Sequence, residues 1–238
     1  MKEDQAFREA FVSVVIPALN EEATIGAVVR AVPREVASEI IVVDNASDDG
    51  TTTRAREAGA RVVYEPRRGY GRACRAGAAA VAPECEIIVF MDGDGSDCAE
   101  LMSRLVEPIR ACTHDFVVGS RTRGVRERGS MNFQQRFAGR VAGFVVGALY
   151  GVRYTDMCPF RAIRRDALAT LRMREETYGW NLEMQMRAAR AGLRILEVPV
   201  NHKRRAGGES KVSGTLRGTI LAGTRILYTA ARIAWERT

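Results

Sequence analysis

The sequence predicts an α/β fold in which helices cover both faces of a mostly parallel central sheet. Three observations lead there. Strand-like and helix-like segments alternate regularly from residue 11 to residue 120, the pattern that builds a parallel sheet through helical crossovers. The strand-like segments are mostly unbroken apolar runs, as expected of strands buried on both faces. Charged and polar residues gather just after several of those runs, at the edge where open α/β sheets bind ligands. With 238 residues, 46% of them apolar, the chain can build one large domain or two small ones, and one is expected.

In order, "FVSVVIP" (11–17) is a buried strand and "EEATIGAVVRAV" (21–32) an amphipathic helix. "EIIVVD" (39–44) is a strand, and "TTTRAREAG" (51–59) a helix closed by Gly59. "RVVYEP" (61–66) is a third strand, followed by a helix over 69–82. "EIIVFMD" (86–92) is a strand, 99–112 a helix and "HDFVVGS" (114–120) a strand. "RTRGVRERGSMN" (121–132) is basic, contains glycine and lacks an apolar period, so a mobile loop is expected. A helix follows over about 133–150. "PFRAIRRDAL" (159–168) is a strand and helix start, 181–192 a helix, "LRILEVPV" (193–200) a strand and 201–214 a loop.

Lysine and arginine number 36 against 29 acidic residues, a net charge of +7. That balance favours anionic partners: phosphorylated ligands, nucleic acid or acidic lipid. The five cysteines are odd in number and irregularly spaced, with no C-x-x-C and two histidines beside them. This points to a reducing compartment rather than a disulfide framework. The charged "MKEDQAFREA" start has no apolar signal-peptide core, so a cytoplasmic protein is expected. "VAGFVVGALYGV" (141–152) is uncharged but about half the ~20 residues a bilayer requires. It is either a buried helix or one that dips into a membrane surface.

The chemistry concentrates in "IIVFMDGDGSD" (87–97), where a buried strand runs into three aspartates. Asp92 and Asp94 flank Gly93, whose missing side chain lets a ligand approach the backbone. Two hard carboxylates so placed suit Mg²⁺ or Mn²⁺ shared with a diphosphate; the alternative is a solvated turn. Asp97 can cap the following helix or join the metal. Asp44 ends a buried strand and needs a donor, which a nucleobase N–H or a ribose hydroxyl would supply. "GYGRACRAG" (69–77) lacks the third glycine of a dinucleotide fingerprint, since Cys74 stands there. Glycines at a helix start still suit a phosphate or ribose contact. "HKRRAGGESKVSG" (202–214) sets cations beside flexible glycines, which suits either a solvated basic loop or a lid over a pyrophosphate. It lacks the aromatic interleaving of single-strand nucleic-acid binders, and no nucleic-acid partner is expected.

Taken in order, "VVIPALNEE", "VVDNASDDGT", "FMDGDGSD", "VVGSRTRG", "DMCPFRAIRR", "YGWNLEMQMRAARAGLRILEVPV" and "RRAGGESKVSGT" resemble the family 2 glycosyltransferases. They are most similar to the dolichyl- or polyprenyl-phosphate mannosyl- and glucosyltransferases. The resemblance spans about residues 11–225. It implies a GT-A fold, a nucleotide-diphosphate sugar donor such as UDP-glucose or GDP-mannose, a divalent metal and a polyprenyl phosphate acceptor. Carried over by motif, Pro17, Leu19 and Glu21 line the nucleoside pocket and Asp44 holds base or ribose. Asp92 and Asp94 hold metal and diphosphate. Arg121, Arg205 and Lys211 meet the phosphates, and Glu183 sits near sugar or acceptor.

Two departures stand out. Ser96 occupies the place where many relatives carry a metal-binding glutamine, and its hydroxyl is a weaker ligand. "DMCPF" replaces the more usual "SGF", which puts Cys158 and Pro159 on the acceptor side. The expected organisation is a short extension (1–10), the GT-A domain (11–212) and a C-terminal helix (213–238). Within that helix Leu216, Ile220, Leu227, Ala231 and Ala234 form one stripe with Arg217, Arg225 and Arg232 beside it. A membrane-surface helix and one docked on protein both fit this pattern.

The implied reaction is an inverting transfer. An ionised lipid phosphate needs little help from a base, whereas a hydroxyl acceptor requires one, with Asp94, Asp156 and Glu183 as candidates. A sugar nucleotidyltransferase would carry a glycine-rich basic loop where "PALNEE" stands. A non-catalytic binding module would leave the aspartates without use.

Overall fold

A computed structural model describes residues 10–131, 133–207, 228, 229, 231–233 and 235. Lys211 and the greater part of the expected C-terminal helix lie outside the described residues. A seven-stranded sheet runs in the order β3-β2-β1-β4-β6-β5-β7. Its strands are β1 (Val12–Ala18), β2 (Glu39–Asp44), β3 (Arg61–Tyr64), β4 (Ile87–Phe90), β5 (Phe116–Ser120), β6 (Arg161–Arg164) and β7 (Ile195–Pro199). The helices are α1 (Ile25–Ala31), α2 (Thr51–Glu57), α3 (Tyr70–Ala80), α4 (Met102–Arg110), α5 (Phe133–Tyr150), α6 (Arg165–Leu171) and α7 (Trp180–Arg190).

Every residue of β1 is buried, because β2 and β4 flank it in parallel and helices cover it. That explains an unbroken apolar run in place of alternation. Helix α3 comes down close on β1 and β2 at Gly77. A Cβ there would lie 2.3 Å from Val15 and 2.9 Å from Val43. Edge strand β3 is half exposed, and Arg61 pairs with Glu39 of β2 at 2.7 Å.

One feature differs from simple alternation. Strand β6 enters antiparallel between β4 and β5, so the two never pair with each other. Three parallel pairs remain on β1 and β2, and a fourth joins β5 to β7. Since β6 runs against both neighbours, β1, β2, β4 and β5 still deliver their carboxyl ends to one edge.

Candidate active site

The ends of β1 and β2 are fastened together. Asn20 donates to Asp48 at 2.6 Å, and the Asp48 N–H donates back to the Asn20 carboxamide at 3.0 Å. The Glu21 N–H donates to the Thr51 hydroxyl at 2.8 Å. Asp44 finds its donors at home: the Ser47 N–H at 2.9 Å and the Thr52 hydroxyl. The donor that its place after a buried strand calls for is thus supplied within the protein, while each carboxylate oxygen keeps a second lone pair. Pro17 and Leu19 frame the same edge, and the Pro17 carbonyl oxygen lies 3.4 Å from where a Cβ on Gly93 would stand. The Thr24 hydroxyl holds the Gly93 carbonyl at 2.8 Å.

Beyond β4 the aspartates fold around one another. The Tyr70 hydroxyl, at the start of α3, donates to Asp92 Oδ1 at 3.1 Å. The Asp92 N–H donates to Asp97 Oδ2 at 3.0 Å. Asp97 is thus tied back to Asp92, and the helical turn after it carries no side-chain cap, which corrects the capping expectation. Ser96 directs both its N–H and its hydroxyl at Asp94 Oδ1, at 2.9 and 2.6 Å. Gly95 turns the chain with φ +77°, a conformation that favours glycine.

Burial and mutual repulsion disfavour charge on Asp92 and Asp97. Asp92 is pushed well above the usual range by burial, then by Asp97 and Asp94. Asp97 rises to about 7, chiefly through burial. Among the described residues Asp97 Oδ1 has no hydrogen-bond partner, and neither does His202 Nδ1, 3.9 Å away. Burial, followed by the nearby Arg121 charge, lowers His202 to about 4. The imidazole is neutral at pH 7 and can offer a lone pair.

Residues 202–206 lie alongside this cluster. The Lys203 N–H donates to the Ser96 carbonyl at 2.9 Å, and the Ala206 N–H to the Asp94 carbonyl at 3.0 Å. Arg205 reaches Glu21 Oε1 at 3.0 Å and Asp94 Oδ2 at 3.1 Å. Residues 125–127 pair with the other side of the same segment. The His202 N–H meets the Val125 carbonyl at 3.0 Å, and Glu127 accepts the Arg204 N–H at 2.7 Å. The loop expected to be mobile is therefore pinned at this point by backbone bonds.

Three predicted residues are engaged by partners inside the protein. Arg121 makes a bidentate pair with Asp156 at 2.7 and 2.8 Å, so its charge is met inside the protein. Although burial opposes it, the Asp156 charge leaves Arg121 more firmly protonated. Asp156 in turn is held below the usual carboxylate range by Arg121 against the effect of burial, which makes it a poor base. Fully buried Glu183 accepts four donors: the N–H groups of Arg174 and Glu175, and the side chains of Arg187 and Arg232. It anchors residues 174 and 175, whose loop packs against Gly69 and Gly71 at the start of α3. Cys158 is buried, and burial pushes its thiol well up, so it is no nucleophile.

Two site residues escaped sequence reasoning. Tyr70 lay within a stretch valued for its glycines, and His202 within one valued for its cations. The only signals were a hydroxyl beside two glycines and one histidine before a basic run.

With this geometry in view, the matches to known proteins are specific. The family model for glycosyl transferase family 2 matches residues 13–172. The chain belongs to glycosyl transferase family 2. An uncharacterized glycosyltransferase of Mycobacterium tuberculosis is 40% identical over 215 residues, covering 89% of this chain and 94% of that one. An undecaprenyl-phosphate mannosyltransferase of Micrococcus luteus is 32% identical over 94% of this chain and 96% of its own. A dolichyl-phosphate hexose transferase of Haloferax volcanii is 35% identical over 82% of this chain and 84% of its own. Among solved structures, glucosyl-3-phosphoglycerate synthase of Mycobacterium tuberculosis with Mn²⁺, UDP-glucose and phosphoglyceric acid superposes with a TM-score of 0.75. It is 26% identical and is matched over 96% of this chain and 81% of that one. The fold of this family 2 enzyme is GT-A.

Proposed function

We propose that the protein moves a hexose from a nucleotide-diphosphate sugar, of the UDP-glucose or GDP-mannose type, to a polyprenyl phosphate at the cytoplasmic face of a membrane. One observation carries the reading. Asp92, Asp94 and Asp97 gather with neutral His202 at the sheet edge, where Arg205 pairs with Asp94 and the charge of Arg121, itself paired with Asp156, lies behind.

The residues fit Mg²⁺ or Mn²⁺. Burial raises the Asp92 and Asp97 carboxyls, and the two orphaned atoms, Asp97 Oδ1 and His202 Nδ1, face the same gap. Among the described residues no three metal-binding side chains form a closed cage, as suits a cation held by one or two carboxylates plus substrate phosphates. Asp92 and Asp94 would hold it, with the Ser96 oxygen as a further ligand. Bound there, the cation would neutralise the diphosphate leaving group.

The chain's own residues do the remaining work. Pro17, Leu19 and Glu21 seat the nucleoside, and Asp44 accepts from base or ribose through its remaining lone pairs. Gly93 leaves room for the diphosphate. Arg205 turns from Glu21 and Asp94 to the departing phosphates, joined by Lys211. Arg121 stays with Asp156 and shapes the edge from behind.

The acceptor attacks the anomeric carbon from the face opposite the diphosphate, inverting it. A phosphate acceptor is ionised at pH 7 and needs no strong base. That matches a site whose Asp156 and Glu183 are both engaged by arginines. Two of the relatives carry a lipid phosphate in their names, undecaprenyl phosphate and dolichyl phosphate. A second reading, transfer to a soluble acceptor, draws on the likeness to the enzyme solved with phosphoglyceric acid. Incubating the protein with radiolabelled UDP-glucose or GDP-mannose, Mn²⁺ and either polyprenyl phosphate or phosphoglyceric acid separates the two. Label in the organic phase supports the lipid acceptor, and label only in the aqueous product removes it.

A further inference from the structure

We infer that Arg232 and Thr229 are positioning residues that hold the Tyr70 hydroxyl against Asp92, acting through the loop of residues 174–177. Both stand on a helical segment described at residues 228, 229, 231–233 and 235. They lie three apart, which puts them on one face. Thr229 is fully buried, as is Ile233, whose carbonyl oxygen accepts from the Arg190 guanidinium at 2.9 Å. At these positions the helix meets protein.

Arg232 and Thr229 meet two glutamates, each of which divides its carboxylate between the helix and the loop. Glu183 is 0% exposed and Glu175 1%. Glu183 Oε1 accepts the Arg232 guanidinium at 2.9 Å, while Oε2 accepts the N–H groups of Arg174 and Glu175 at 2.9 and 2.5 Å. Glu175 Oε2 accepts the Thr229 hydroxyl at 2.8 Å, while Oε1 accepts the N–H and hydroxyl of Thr177 at 3.0 and 2.7 Å. Carboxylates so far from water need their donors, and withdrawing one is costly.

The loop passes its position on to α3. The Arg72 N–H donates to the Glu176 carbonyl at 3.1 Å, and the Arg72 guanidinium pairs with the Glu176 carboxylate. Tyr70 stands between two glycines. A Cβ on Gly71 would overlap the Glu175 carbonyl oxygen, and one on Gly69 the Glu176 carbonyl oxygen. Loop backbone therefore lies against α3 on both sides of Tyr70, with no side chain between to absorb a shift. Tyr70 in turn donates to Asp92 at 3.1 Å. Every step from Arg232 to Asp92 is thus a hydrogen bond or a backbone contact. Spatial continuity alone is not coupling, so the test measures coupling itself.

As a device for Asp92 the inference rests on the metal site proposed above, yet the first of two readouts needs no metal. Amide hydrogen exchange is followed in the metal-free full chain for Arg232→Met and for Thr229→Val, a near-isosteric change. Exchange at the Arg72 N–H should quicken by about tenfold in both, while the amides of β1 and β2 hold their rates, because the opening is local. Calorimetry then reads Mn²⁺ affinity. It should fall about three- to tenfold in either variant, short of the full loss of an orienting bond, and recover in Arg232→Lys. In a Tyr70→Phe background neither change should weaken Mn²⁺ further, since the effect travels through that hydroxyl, whereas independent sites would multiply. An Arg72 amide that keeps its rate, or exchange that rises evenly across the sheet, overturns the inference. So do losses of Mn²⁺ affinity that multiply with that of Tyr70→Phe. Local quickening at Arg72 in a protein that binds no Mn²⁺ would uphold the hold on Tyr70 and remove the metal from Asp92.

Discussion

Arg205 joins Glu21 to Asp94, with one guanidinium nitrogen 3.0 Å from Glu21 Oε1 and the other 3.1 Å from Asp94 Oδ2. It ties the end of β1 to the aspartate cluster behind β4. It also sits on a carboxylate proposed as a metal ligand, so the guanidinium and a bound cation would compete for Asp94. Under that proposal the donor diphosphate would draw Arg205 away.

Arg205→Ala should therefore separate two quantities. Turnover falls by about 10²–10³, the scale for losing one charge-stabilising group. Mn²⁺ affinity in the absence of donor holds steady or rises, because Asp94 loses its competitor. Steady-state kinetics and calorimetry on the same preparation check both halves. A loss of metal binding together with turnover would make Arg205 a scaffold residue.

Tyr70→Phe should weaken Mn²⁺ binding by about 10–100-fold, the range for removing a hydrogen bond that orients a ligand. The Tyr70 hydroxyl donates to Asp92 from the first residue of α3. Calorimetric titration reads the change. Unaltered affinity would show that Asp92 keeps its orientation without Tyr70.

Asp97 gives a pH signature to the metal-free protein. Its folded pKa, about 7, lies above the usual 3.8, so the folded state holds a proton that the unfolded chain releases. The stability this provides is complete below about pH 3.8, erodes as pH rises, and is lost above about pH 7. Asp97→Asn escapes that loss. Its melting temperature should exceed that of the wild type by a margin that grows from pH 4 to pH 7 and then levels off. Equal margins at pH 4 and pH 8 would contradict the shift.

Gly77→Ala should cost about 1–3 kcal/mol in urea unfolding, the usual range for overpacking a filled core. A Cβ at Gly77 lies 2.3 Å from Val15, so α3 must lift from β1. Because Tyr70 starts the same helix, metal affinity should fall with stability.

Much of this site is legible in the order of residues. Parallel strands send their carboxyl ends to one edge, so Glu21, Asp44, Asp92 and Asp94 can be gathered without coordinates. Arg205 follows once an acidic cluster calls for a cation. The pairing of Arg121 with Asp156, 35 residues on, is not legible, because either residue alone suits a ligand. The insertion of β6 between β4 and β5 is equally hidden, since a strand of four residues, Arg-Ala-Ile-Arg, carries no sign of its direction. His202 and Tyr70 act through one atom each, delivered by packing and not by local pattern. Glu183 is hidden in another way: a charged residue inside a motif points to the site, and nothing local shows that its carboxylate accepts four internal donors.

The most direct measurement is a thermal melt of wild type and Asp92→Asn with UDP-glucose or GDP-mannose, each with and without Mn²⁺. A ligand that binds only the native state raises stability with the logarithm of its concentration over its dissociation constant. The predicted result is a rise in melting temperature for one of the two sugars that requires both Mn²⁺ and Asp92. The same rise in Asp92→Asn, or none with either sugar in the wild type, would contradict a metal-bridged diphosphate at the end of β4.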